Sequence, residues 1–224
     1  MKYRALHSWD VTPEEARQFQ NELRSQVVQT DRFGRINTVA GVDIGLKKDT
    51  ALASVVVLSF PELQVVESVV TESPVRFPYI PGLLSFREIP PLLTTFAELQ
   101  TEPDLVIVDG QGIAHPRRFG LASHLGLVLD KPTIGCAKSR LWGRYEEPGS
   151  EQGAYTYLTD KEEVIGAVVR TRANVRVVYV SIGHRISLDS ARVWVLACCR
   201  GYRLPETTRY AHNAASGKTS RIRT

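Results

Sequence analysis

The stretch Leu105–Gly120, LVIVDGQGIAHPRRFG, decides how the chain is read. Leu105 to Val108 is an apolar run without amphipathic spacing, as a strand covered on both faces requires. It breaks at Asp109 into a turn punctuated by Gly110 and Gly112, and the loop then collects His115, Pro116, Arg117 and Arg118. A carboxylate at the C-terminal tip of a buried strand, followed by small residues, a histidine and two arginines, is an arrangement for holding a metal ion against a phosphate.

Downstream, Phe119 to Leu129 reads as a helix and Pro132 to Cys136 as another buried strand. A strand, helix, strand unit places its strands parallel with a right-handed crossover. Their C-terminal ends then share an edge, which brings Lys138 towards Asp109. Upstream, Ile36 to Ile44 alternates, with Ala40, Val42 and Ile44 on one face and Val39, Gly41 and Asp43 on the other. Lys47-Lys48-Asp49 and Phe60-Pro61-Glu62 are short turns around Ala51–Leu58, leading into Leu63–Val70. Connections this short make a three-stranded antiparallel meander.

The passage PVRFPYIPGLLSFREIPPLL is too rich in proline to be a strand, and Pro90 and Pro91 suit a helix N-terminus, with apolar spacing through Leu92, Leu93, Phe96 and Leu99. Near the start, Thr12 as N-cap, Pro13 at the first helical position and Glu15 closing a capping box begin a helix that buries Ala16, Phe19, Leu23 and Val27. Beyond Lys138 the segment 141–159 carries no legible pattern. Strands are expected at Val164–Arg170 and Val175–Ile182, then a helix from Ser187 to Cys199 ended by Gly201, a short helix at Pro205–Ser216 carrying His212, and a mobile basic tail at 218–224.

With 224 residues, 43% hydrophobic and 23% charged, the chain suits one soluble domain over residues 1–224. A net charge of +4 permits a nucleic-acid partner without requiring one. Three cysteines form neither a disulfide framework nor a metal motif, and MKYRALHSWD has no signal-type apolar run. Apolar runs of strand length do not span a bilayer, so the expected setting is cytoplasmic, without membrane attachment.

Three antiparallel strands, a helix, then parallel strands separated by a helix is the order of a ribonuclease H-like α/β fold, a mixed central sheet flanked by helices. There the first and fourth strands are parallel neighbours, so Asp43 and Asp109 face each other. Two carboxylates at ~4 Å repel by about 4 kcal/mol at an effective dielectric near 20, which something cationic must offset. Glu88, in a loop preceding the fourth strand, is a candidate third ligand. Three hard oxygen ligands favour Mg²⁺ or Mn²⁺ over zinc. The competing reading is that both aspartates cap turns and Glu88 is a solvated acid.

His115 can orient water or contact a phosphate, Arg117 and Arg118 can hold backbone phosphates, and Lys138 can neutralise a transferring phosphate; each could equally be an ordinary surface group. In Pro78-Tyr79-Ile80-Pro81-Gly82 the fixed proline φ angles stiffen a loop whose aromatic either wedges between bases or packs on its own domain. His7, His124 and His184 read as structural.

With these residues in hand, the chain resembles the endonuclease V family over most of its length. The carrying motifs are AGVDIG at 40–45, PYIPGLLSFRE at 78–88, VDGQGIAHPRRFGLASHLG at 108–126, PTIGCAKSRL at 132–141, GHRISLDSA at 183–191 and GYRLPETTR at 201–209. The resemblance implies Mg²⁺-dependent hydrolysis of the second phosphodiester bond 3′ to hypoxanthine, in single- or double-stranded damaged DNA, by a monomer. It implies metal binding by Asp43, Glu88 and Asp109, and a strand-separating wedge in Pro78, Tyr79, Ile80 and Pro81. It further implies a pocket for the extruded base at Gly82, Leu84, Gly110 and Leu121, and places for His115 and Lys138 beside the scissile phosphate. His212 falls where the family's pattern is looser, and is assigned to the outer coordination shell. Gln111 stands where family members differ, and no role transfers to it. Inosine in RNA is an alternative substrate. A non-catalytic nucleic-acid binder is the alternative of another class, and would be expected to lack one of the carboxylates.

Overall fold

In the computed structural model, which describes residues 1–47 and 50–217, the chain begins with helix α1 (Pro13–Leu23) and the strands β1 (Thr38–Lys47), β2 (Thr50–Ser59) and β3 (Val65–Pro74). There follow α2 (Leu84–Glu98), β4 (Leu105–Val108), α3 (Leu121–Leu129) and β5 (Thr133–Ala137). A hairpin of β6 (Tyr155–Asp160) and β7 (Glu163–Val169), then β8 (Val178–His184), α4 (Leu188–Ala197) and α5 (Glu206–Ala215), complete it. Lys48 and Asp49 of the expected turn, and the tail 218–224, lie outside the described residues.

All eight strands join one sheet in the order β3-β2-β1-β4-β5-β8-β7-β6. The meander β1-β2-β3 is antiparallel, β1 pairs with β4 and β4 with β5 in parallel, and the remaining pairs are antiparallel. This is the mixed, helix-flanked sheet that the element order implies. Helices α2 and α3 cover one face through Ile89, Phe96 and Leu125 against Val42, Val55 and Val106. On the other, α4 and α5 bury Val195 and Ala211 against Val39, Ile107 and Val180.

The capping box forms as expected: Thr12 Oγ1 accepts from the Glu15 N–H and Glu15 Oε2 accepts from the Thr12 N–H at 2.7 Å. Helix α1 nevertheless stops at Leu23, and Val27 is buried from the chain beyond it. The larger correction is α2, which starts at Leu84 and carries Pro90 and Pro91 inside it. Each internal proline costs about 3 kcal/mol of helix stability. Burial of Phe86, Ile89, Leu92, Leu93 and Phe96, at about 1.5–3 kcal/mol each, outweighs that cost. Glu88 therefore sits on a helix and not on a loop. Within 141–159, Arg144 bridges Thr159 and the edge strand β6 begins at Tyr155. Strand β8 starts three residues later than the apolar run suggests and is buried along its whole length.

Among the described residues no helix is long and apolar enough to cross a membrane. Cys136, Cys198 and Cys199 are free and buried.

Helix α5 can lie across β1 because position 41 has no side chain: a Cβ there would stand 2.0 Å from the Thr207 carbonyl oxygen. Gly41→Ala must push α5 away, taking His212 with it. We expect a loss of about 3 kcal/mol, measured by urea unfolding; an unchanged midpoint would mean that α5 yields freely.

Candidate active site

The parallel ladder between β1 and β4 ends at the pair Val42 and Val108, so the next residues, Asp43 within β1 and Asp109 just past β4, emerge side by side. Strand β5, parallel to β4, ends beside them, and Lys138 Nζ forms an ion pair with Asp109 Oδ2. From the α5 side, His212 Nδ1 donates to Asp43 Oδ2 at 3.1 Å. Glu88 reaches the same edge from α2. Burial, then the charges of Asp43 and Asp109, push its pKa up to about 7, with Arg87 opposing only in part. Burial also raises Asp109, against the hydrogen bond and charge of Lys138. The three carboxylates thus share one electrostatic neighbourhood. As they stand, no three His, Cys, Asp or Glu side chains among the described residues are grouped to hold one ion.

Beside these carboxylates lies a cavity of about 380 Å³. Gly82, Leu84, Gly110 and Leu121 line it. Glu88, Asp109 and Lys138 form part of its wall, and Tyr79 and Pro81 also border it. Tyr79 is 67% exposed, as are its neighbours Pro78 and Pro81 in large part, while Ile80 is half-buried. The loop is nonetheless anchored, because Phe77 and Leu83 on either side of it are buried with Ala16 and Phe86.

Behind the loop, one carbonyl gathers three donors. The Gly82 oxygen accepts from Gln20 Nε2 at 3.0 Å, His115 Nε2 at 3.0 Å and Arg117 Nη2 at 2.8 Å. Gly82 has φ +80°, and Arg117 Nη2 would lie 3.0 Å from a Cβ built there. His115 Nδ1 accepts from the Arg117 N–H, so the ring proton sits on Nε2. Burial, followed by the charge of Arg117, lowers the His115 pKa to about 4, which keeps the ring neutral near pH 7. Arg117 Nε also donates to Gln20 Oε1 at 2.5 Å. Arg118 turns away to Asp160 at 2.7 Å and Glu163 at 2.8 Å, on the β6–β7 hairpin.

Gln20 is the site residue that the sequence reading passed over. Its signal was a polar side chain on the same stripe of α1 as Ala16 and Leu23, where burial obliges it to find partners. His7, His124 and His184 take interior roles: His124 lies between Ser85 Oγ and His7 Nε2, and His184 Nδ1 accepts from the Val28 N–H.

A family model described as Endonuclease V matches residues 21–213. A protein of Gloeobacter violaceus named Endonuclease V is 56% identical over 214 residues, covering 93% of this chain and 87% of that protein. Among solved structures, the Streptomyces avermitilis Endonuclease V superposes with a TM-score of 0.89 at 42% identity, over 94% of each chain. A Ciona intestinalis Endonuclease V, in complex with a 24mer DNA containing an inosine followed by a ribo-adenosine, superposes with a TM-score of 0.80 at 29% identity, over 92% of this chain and 96% of that one.

Because the folded pKa of Glu88 lies above its unfolded value, the folded state holds this proton longer, and ionisation costs stability as pH rises towards and through about 7. Glu88→Gln should stabilise the metal-free protein at pH 8 by about 2 kcal/mol, and the gain should vanish by pH ~4, where the side chain is protonated folded and unfolded alike. Urea unfolding of both proteins in chelator checks this; a gap independent of pH would place no ionisation cost on Glu88.

Proposed function

The chain belongs to the endonuclease V family, and from that premise we propose that it is a Mg²⁺-dependent endonuclease acting on deaminated bases in DNA, hypoxanthine first. It hydrolyses the second phosphodiester bond 3′ to the lesion, leaving a 3′-hydroxyl and a 5′-phosphate. The observation that carries this reading is a cavity roomy enough for a base, whose wall includes Glu88, Asp109 and Lys138. The inosine-containing complex of the Ciona relative supports the choice of substrate.

The donor chemistry fits a hard dication. Burial, followed by the charges of Asp43 and Asp109, raises the Glu88 pKa to about 7, and a cation would offset both effects. Asp43, Glu88 and Asp109 would hold Mg²⁺, or Mn²⁺ in its place. When bound, the cation supplies positive charge to the phosphoryl oxygens and acidifies the attacking water.

The chain's own groups do the rest. Lys138 holds Asp109 through one oxygen and offers positive charge beside the scissile phosphate. His212 steadies Asp43 from outside the ligand set. Extruding a base from the stack costs a few kcal/mol, least for a base that pairs poorly. Tyr79, exposed on an anchored loop, fills the gap left in the duplex. No glycosidic bond is cut, so the lesion remains beside the nick for later repair steps. The enzyme acts in the cytoplasm as a monomer.

A duplex with one hypoxanthine should be nicked by the wild type with Mg²⁺ and not in chelator, and Asp43→Ala should lose at least ~10³-fold in rate. Nicking without a divalent ion, or equal activity in Asp43→Ala, would overturn the assignment. Matched DNA and RNA oligomers run in parallel distinguish deoxyinosine from inosine as the preferred substrate. Separately, Tyr79→Ala should reduce cleavage in duplex more than in single-stranded DNA, since only the duplex needs a wedge; equal loss in both would remove that role.

A further inference from the structure

Gln111 lies between two loop glycines against the wall of the cavity, with 7% of its surface exposed. One end of its amide is committed: Nε2 donates to the Ser139 carbonyl at 3.0 Å, which fixes which end is nitrogen. At the other end, Oε1 is buried and has no hydrogen-bond partner among the described residues. A buried acceptor left unpaired is unfavourable for folding and calls for a reason.

Several main-chain groups nearby are already engaged. The Gly82 carbonyl receives Gln20, His115 and Arg117. The Gly110 N–H goes to the Val108 carbonyl and the Gly112 N–H to Ser181 Oγ, both at 2.8 Å. The Gln111 carbonyl accepts from Ala122 at 2.9 Å. Among the described side chains lining the cavity, the buried oxygen without a partner is Gln111 Oε1.

An unpaired acceptor selects for a donor. Deamination of adenine replaces the exocyclic amine with a carbonyl and turns the bare ring nitrogen N1 into N1–H. We propose that Gln111 is a specificity-determining residue whose Oε1 accepts the N1–H of an extruded 6-oxopurine and repels the N1 lone pair of adenine. The oxygen is shielded from solvent, but the terminal amide torsion has a broad well. The proposed contact requires the amide to rotate about that torsion so that Oε1 meets the base. Guanine carries the same N1–H, so this contact separates adenine from its deamination product and does not by itself reject guanine. The inference rests on the reading of the cavity as the seat of the extruded base.

The test compares single-turnover nicking of duplexes carrying hypoxanthine or unsubstituted purine, a base with neither N1–H nor a 6-carbonyl. Gln111→Met keeps the volume and removes the acceptor, and its preference for hypoxanthine over purine should fall about 10- to 100-fold. Gln111→Glu keeps an acceptor and loses the donor to Ser139, so its preference should persist even where its rate at both bases drops. Thermal melting verifies that each variant folds. If Gln111→Met nicks too slowly to measure, the ratio of dissociation constants for the two duplexes in chelator reads the same preference. A wild-type preference in Gln111→Met, or equal losses at both bases, overturns the assignment and leaves a structural role through Ser139. A wild type that does not nick the hypoxanthine duplex overturns the reading of the cavity itself.

Discussion

The crowding of three carboxylates at one edge of the sheet is the constraint around which the rest of the site is arranged. The parallel pairing of β1 with β4 sets two of them side by side, because an aspartate follows the last pair of the ladder, Val42 with Val108, on each strand, and α2 adds Glu88. Strand β5, the next parallel neighbour, delivers Lys138 to that edge. The three strands joined by parallel pairing are thus the three that bring charge to this edge. Repulsion at this density is offset by Lys138 on Asp109, by the His212 hydrogen bond to Asp43, and by the proton that Glu88 retains up to about pH 7. In the proposed function a divalent cation takes the place of that proton.

The neighbouring loops are fixed by buried polar contacts in place of regular structure. The Gly82 carbonyl ties together α1, the exposed tip at Tyr79 and the loop after β4 through Gln20, His115 and Arg117. Because His115 is neutral, its Nε2–H and its bare Nδ1 are both used, one towards Gly82 and one from Arg117. Arg118 anchors the same loop to the distant hairpin through Asp160 and Glu163. In the role proposed for Tyr79, such a rigid base is an advantage, since a mobile loop would spend binding energy on being ordered.

Much of this was legible in the amino-acid order. The meander, the crossover after β4 and the convergence of Asp43, Asp109 and Lys138 follow from turn length, alternation and the handedness of parallel connections, which are local rules. The lower end of α2 was not legible. Pro90 and Pro91 signal a helix start, and only burial of Phe86 and Ile89 against the body overrides that signal. Strand β6 was missed because an edge strand is only half covered and its burial pattern is correspondingly faint.

The sequence by itself determined the fold class and the chemistry available to it: which residues carry charge, where strands end, and which loop is stiff. Tertiary structure alone decided how those groups are used. Arg117 and Arg118 look alike in sequence, yet one supports the Gly82 carbonyl and the other holds the β6–β7 hairpin. Gln20 became part of the site through a contact 62 residues away in the chain, and Gln111 acquired an unpaired oxygen because Ser139 took its nitrogen. Hydrogen-bond partners are set by distances between segments remote in sequence, and the periodicities that reveal strands and helices do not encode those distances.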